Sequence, residues 1–402
     1  MKTPVKTIAC KHKIAFFFMI NSSFSSLAIR LSYSASPLLT PNVKSHYLLH
    51  QSSFSRLFSS VYISDSQIRV IQSNFRGLLS CAFSIQSLFV YKQIYRTQSH
   101  FNYDLVSEFK GCIFEDITSS TYQSCAITFK YASYSIIIYG CAFHNLKYTG
   151  SDYHASGFYS EPADIIKVSY VCFDKCKSTH GASYGLHCNQ FVIKYLEFNY
   201  TYETNLGYGG YSQPCSSFYG GRESVCFQYN NISESKCTSY FITLSLTSKH
   251  NSILRKFTQI NHCQSPNFLA KIAYSDVHYY TYSNFVNNTI TGYAVYNHHG
   301  TSTPVIDNCI FFMAIPLMHN CPSTMTILNS VFSSVYSSSV FNSVSTNTLC
   351  SFGISNPSYY PILLFDHNIC WKYNDETYAK LIDQKRGFSK LILTVFSLML
   401  SY

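Results

Sequence analysis

A chain of 402 residues is long enough for two or three ordinary domains or for one extended repeat array. Only 12% of its residues are charged, whereas Tyr (35) and Phe (32) are abundant; this excludes long amphipathic helices, whose outer faces need Glu, Lys and Arg, and favours pleated surfaces and turns. The formal charge of +10 comes from 29 basic and 19 acidic residues dispersed along the sequence, with no RNA-binding or zinc-finger signature, so nucleic acid is not an expected partner.

Residues 1–44 read as an N-terminal extension. A basic opening ends at Lys13, an apolar run follows from Ile14 to Ile20, and Ser26-Leu-Ala28 offers a signal peptidase a site after Ala28. A signal peptide to about residue 28 and a frayed segment ahead of the first coil are both open readings. Sixteen cysteines and the four acceptor sequons at Asn21, Asn199, Asn231 and Asn287 suit an oxidising secretory route. A secreted or cell-surface location is the expectation.

From residue 45 to residue 370 one short unit returns: apolar, any, Phe, any, polar. It reads Cys112-Ile-Phe114, Cys141-Ala-Phe143, Val171-Cys-Phe173, Leu196-Glu-Phe198, Val225-Cys-Phe227 and Cys309-Ile-Phe311. With Phe as anchor the series is Phe54, Phe75, Phe114, Phe143, Phe173, Phe198, Phe227, Phe257, Phe285, Phe311, Phe332 and Phe365. The step from Phe75 to Phe114 is about twice the shortest, which suggests a weakly marked coil near Phe89 to Tyr95. Five residues before the anchor, Phe109, Ile138, Val168, Ile193, Ile306 and Ile327 are apolar, while Arg222 and Ser252 break the pattern; two residues before it, Arg255 does. Two short strands joined by a bend are implied, with turn-forming Asp116, Asn145 or Asn287 after the anchor. Stacking each coil on the next, at about 4.8 Å, would pair every strand and gather Phe114, Phe143, Phe173, Phe198, Phe227, Phe257, Phe285, Phe311 and Phe332 into one core ladder.

These C-x-F and V-C-F units, the corner Asn residues and the coil length resemble right-handed parallel β-helix proteins, a group that includes pectate-lyase-like enzymes and repetitive surface proteins of the polymorphic-adhesin type. The resemblance implies an all-β, right-handed parallel β-helix solenoid of roughly 11 to 13 coils with short terminal extensions. It describes a fold and leaves the activity open.

Chemistry-bearing groups are sparse. Cys112 and Cys141 share the position two residues before the anchor, and either a disulfide or a ladder of stacked thiols would fit there. Adjacent acids occur at Glu115-Asp116 and Asp375-Glu376, without the grouped carboxylates that polysaccharide cleavage uses. His187-Cys188, His262-Cys263 and His298-His299 lack the second half of a zinc site, so no metal, cofactor or catalytic residue is expected. Tyr279-Tyr-Thr-Tyr282 and Tyr200-Thr-Tyr202 could stack on sugars or anchor a protein partner. Residues 371–402 read as a cap or hydrophobic tail; Leu391 to Leu400 as a helix would reach only about 15 Å, so no spanning membrane helix is expected.

The functional expectation is a non-enzymatic extracellular or cell-surface solenoid, an adhesive or interaction scaffold for glycans or surface proteins. Two alternatives stand beside it: a carbohydrate-active enzyme, lyase or glycosidase, on the same fold, and an intracellular structural repeat protein with reduced cysteines.

Overall fold

The computed structural model describes residues 15–21, 24–32, 47–58, 60–64, 68–86, 106–120, 124–130, 135–150, 155–179, 183–203, 216–220, 225–236, 240–246, 252–265, 268–273, 277–290, 292–297, 303–313, 318–319, 325–333 and 344–355. Among them every regular element is a strand, and no helix is long and apolar enough to cross a membrane. The signal-peptide cut after Ala28 would fall within strand Phe24–Ser32, which pairs antiparallel with Ala15–Asn21. The C-terminal tail lies outside the described residues.

Three parallel ladders run through the chain, and each turn of the chain contributes a strand to each. In one turn these are Ile127–Lys130, Ser135–Tyr139 and Ala142–His144. Each pairs in parallel with its equivalent in the turns before and after, so that Phe143 lies beside Phe114 on one side and Phe173 on the other. Parallel pairing already begins at Ser25, which is in register with Tyr47, ahead of residue 45. This all-β, parallel stacked arrangement is consistent with a solenoid.

Two bends per turn have the same construction. The residue after the second-ladder strand is left-handed, as in Gly111 (φ 64), Gly140 (φ 61), Tyr170 (φ 57) and Asn308 (φ 52), and so is the residue after the third-ladder strand, as in Asp116 (φ 54), Asn145 (φ 49) and Asn287 (φ 51). A left-handed residue turns the strand without removing its amide from the ladder: the Gly111 N–H still donates to the Tyr139 carbonyl and that of Asn308 to the Leu328 carbonyl. Gly, Asn and Asp reach this conformation at least cost, which explains the turn-forming residues the sequence places after each anchor.

The next residue after each bend points inward; in some turns it is an apolar core residue such as Ile117 or Val171, and where it is Ser, Asn or Cys its side chain caps the bend. Ser330 donates to the Leu328 carbonyl at 2.8 Å and accepts from the Cys309 amide at 3.2 Å. Ser283 donates to Thr281 and accepts from the amide of Thr258, while at the other bend Asn288 accepts from the Cys263 amide and donates to the Ile260 carbonyl. Cysteine fills the same place. Cys112 donates to the carbonyls of Val70 and Lys110, Cys141 to those of Phe109 and Tyr139, and Cys309 to those of Tyr280 and Asp307. Cys112 and Cys141 are buried free thiols.

Inside the third ladder the rings stack at about one strand spacing. Phe54, Phe75, Phe114, Phe143, Phe173 and Phe198 form a continuous column, with Phe114 and Phe143 at 5.0 Å and 5°. Phe285, Phe311, Phe332 and Phe352 form a second. Between them the position belongs to Ile232 and Ile260, both buried, so two expected anchors are corrected. Phe227 lies in the second ladder, beside Ile193 and Arg255, and Phe257 occupies a left-handed bend (φ 52) outside the column. No extra coil separates Phe75 from Phe114, since they stack directly at 5.0 Å. Phe352 rather than Phe365 follows Phe332, and Phe365 is outside the described residues.

Candidate interaction site on the outer face

The third ladder has an outer side as well, and there two further columns lie side by side. One is aromatic. Tyr170, Tyr195, Tyr229, Phe257 and Tyr282 hold the left-handed bend in five successive turns, where other described turns use Gly, Gln, Asn or, at residue 349, Leu. Their rings stack in sequence at 4.8, 4.7, 4.8 and 5.3 Å. A bulky side chain at positive φ is strained; each stacked pair returns roughly 0.5–1.5 kcal/mol beyond its buried area, which offsets that strain. Tyr139 closes one end of the column edge-on against Tyr170. At the other end the next turn carries Asn308, so the aromatic run stops at Tyr282.

Because the rings lie face to face, most of their faces are already covered. Tyr170 and Tyr195 are 5% and 6% exposed, whereas Tyr282 is 38% exposed and Tyr279, three residues earlier in the same turn, 36%. Tyr280 is buried. Of the tyrosines singled out in the sequence, Tyr282 therefore forms the accessible end of the column, Tyr279 is exposed on the strand leading to it, and Tyr200, 51% exposed, stands at the second bend of an earlier turn. The column itself was missed, though its signal was present: an aromatic residue three places before the inward anchor, in Tyr170-Val-Cys-Phe173, Tyr195-Leu-Glu-Phe198 and Tyr282-Ser-Asn-Phe285.

The adjacent column is polar. Arg76, Glu115, His144, Asp174 and Asn199 follow one another in register. Arg76 Nε lies 3.3 Å from Glu115 and 3.4 Å from Asp116, and Asn145 donates to Asp116 at 2.8 Å. Asp174, almost fully buried, lies 2.7 Å from His144 Nδ1 and accepts from Asn199 Nδ2 at 3.4 Å, with Lys175 Nζ at 3.9 Å. Asn231 Nδ2 reaches both oxygens of the buried Glu197, at 3.0 and 2.9 Å. Each of these four carboxylates is thus engaged by a cation or an amide of a neighbouring turn. Among the described residues no group of three or more His, Cys, Asp and Glu could hold a metal ion.

The sequons fall on these columns unequally. Asn199 and Asn231 are partly buried and bonded as above, and the residues that follow them in their sequons include the buried Thr201 and Ile232. Asn287 is exposed at its bend, with Nδ2 3.4 Å from His262 Nε2. Cysteine also divides by position. Burial pushes the thiols of Cys176, Cys263 and Cys309 up to about 12 and that of Cys81 to about 11. Cys112 rises well above the ordinary 9.0 through burial and then through its hydrogen bond with Cys141. These are inert interior donors. Cys172, one residue out of that register, clusters with Tyr170 and Tyr195 on the outer side and is disulfide-bonded.

No known protein-family model, curated protein or solved structure matches the chain.

Proposed function

We propose that this protein is a right-handed parallel β-helix displayed outside the cell or at its surface, acting without catalysis as an adhesive scaffold whose accessible tyrosines bind glycans. The observation that carries the reading is the outer aromatic column ending at Tyr282, beside Tyr279. Five rings are held at strained bends on the exterior, where the inward core gains nothing from them. An exposed tyrosine at the end of such a stack, with a second exposed three residues earlier, offers ring faces and hydroxyls to a sugar. The paired state of Glu115, Asp116, Asp174 and Glu197 supports binding over cleavage at this face, since each of these four described carboxylates is already engaged. The disulfide at Cys172 and the exposed sequon at Asn287 support the extracellular setting.

Glycan-array binding with the full chain tests this directly. Retention of a defined glycan class that Tyr279→Ala and Tyr282→Ala each weaken would support it; hydrolysis or elimination of a bound glycan would instead establish the enzymatic alternative. Thiol counting on protein from its native host separates the intracellular reading, which requires Cys172 to be reduced.

A further inference from the structure

The outer face around Tyr279 and Tyr282 continues into the following turn. Strand Val277–Thr281 pairs in register with Thr303–Asp307, which sets Asp307 directly opposite Thr281, and the Tyr282 amide donates to the Asp307 carbonyl at 3.1 Å. Alternation along the strand sends Tyr280 into the core and Tyr279 and Thr281 outward; in the next turn the buried Ile306 and the half-buried Asp307 repeat the pattern. Tyr279, Thr281, Tyr282 and Asp307 therefore share one patch.

Two polar groups of this patch are incompletely served. Asp307 Oδ1 accepts from Asn308 Nδ2 at 2.9 Å and from Asn329 Nδ2 at 3.0 Å, two neutral amides at the bend positions of this and the following turn. Both fall on one oxygen, and among the described residues no cation pairs with the carboxylate; Glu115 and Asp174, by contrast, have Arg76 and His144 beside them. Lys256 is in register with Thr281 on its other side, two strand spacings from Asp307. Thr281 is only 8% exposed, yet its hydroxyl has no hydrogen-bond partner. A buried hydroxyl left unmade is costly, and this one lies between two exposed rings and a carboxylate.

Resting on the reading of this face as a glycan site, we infer that its ligand is an amino sugar carrying a free, protonated amine. The apolar face of the sugar ring lies on Tyr279 and Tyr282, the ammonium meets Asp307 and the face of Tyr282, and a ring hydroxyl completes Thr281. A neutral sugar uses the rings and leaves the carboxylate without a counter-charge, and an acidic sugar is repelled by it. An ammonium gains a charge-assisted hydrogen bond and the attraction of the ring quadrupole together.

The test is calorimetric titration of the full chain at roughly pH 6, where a sugar amine is protonated, with a glucosamine oligomer and with the N-acetylglucosamine oligomer of the same length. The free-amine oligomer is expected to bind about tenfold more tightly, the worth of one hydrogen bond to a charged group, and to lose that advantage as pH is raised past about 8. Asp307→Asn lowers its affinity about tenfold, Asp307→Glu retains the preference, and Thr281→Val, which keeps the shape, weakens binding about fivefold. Equal affinity for the two oligomers overturns the inference while leaving the glycan reading in place, and so does an undiminished Asp307→Asn variant with native circular dichroism. Binding of neither oligomer nor any other glycan overturns both. Displacement of the oligomer by a lysine-rich peptide at equal concentration of amines would assign the site to a basic protein segment instead.

Discussion

The amide of Cys309 donates to Ser330 Oγ at 3.2 Å, one turn further along the stack, while the thiol of Cys309 donates back to the Tyr280 carbonyl at 3.4 Å. A side chain at this bend therefore ties three turns together, and what the position needs is a small inward donor. Serine meets that need at Ser52, Ser73, Ser283 and Ser330. Cys309→Ser should accordingly cost little, whereas Ser330→Ala strands a buried amide and should cost about 1–3 kcal/mol. Urea or thermal unfolding of the two variants checks the order, and equal losses would refute the capping role.

Alkali should weaken the fold through the same bends. Cys176, Cys263 and Cys309 titrate near 12 in the folded chain, against an ordinary 9.0. Their neutral form is favoured by folding, so the contribution is fully present below about 9, declines as pH rises and is gone above about 12. The unfolding midpoint should fall across that window, and less so in a variant carrying Ser at all three positions. A midpoint that holds steady through pH 11 in the native chain would contradict the interior placement of these thiols.

The repeat was legible because aromatic anchors recur in sequence, and its misreadings have one cause. Phenylalanine is so common that a spacing of nearly thirty residues can be met by the wrong ring: Phe227 lies five residues before the true inward position at Ile232, and Phe257 three residues before Ile260. The flanking pattern already fails at those two turns, at Arg222, Ser252 and Arg255. With Ile232 as anchor, Phe227 falls on the position that Ile193 and Phe109 occupy elsewhere. The outer face was less readable, since a column such as Arg76, Glu115, His144 and Asp174 exists only once the register of four turns is known.

Phe143 stands between two stacked rings, 5.0 Å from Phe114 and 5.0 Å from Phe173. Phe143→Ala should destabilise by about 3–5 kcal/mol, and Phe143→Leu by clearly less, because leucine refills most of the volume but neither stack. Because successive turns contact mainly their neighbours, hydrogen exchange should rise first around residues 106–179 and leave the second column near Phe311 protected. Uniform loss of protection along the chain would argue against nearest-neighbour stacking.

Of the four sequons, those at Asn199, Asn231 and Asn287 should differ when the full chain is sent through a secretory pathway. A glycan on Asn231 would have to leave from an amide that now serves both oxygens of the buried Glu197, and Ile232 beside it is in the core. Asn199 is tied to Asp174 and is followed by the buried Thr201. Asn287 sits instead at an exposed bend with the exposed Thr289 two residues on, and its one side-chain bond is the 3.4 Å contact with His262 at the surface. Peptide mapping of folded, secreted protein should therefore find the sugar on Asn287, and N287Q should remove the mass of one glycan without lowering the unfolding midpoint. Occupied Asn231 in protein that is still folded would show that its contact with Glu197 is dispensable for folding.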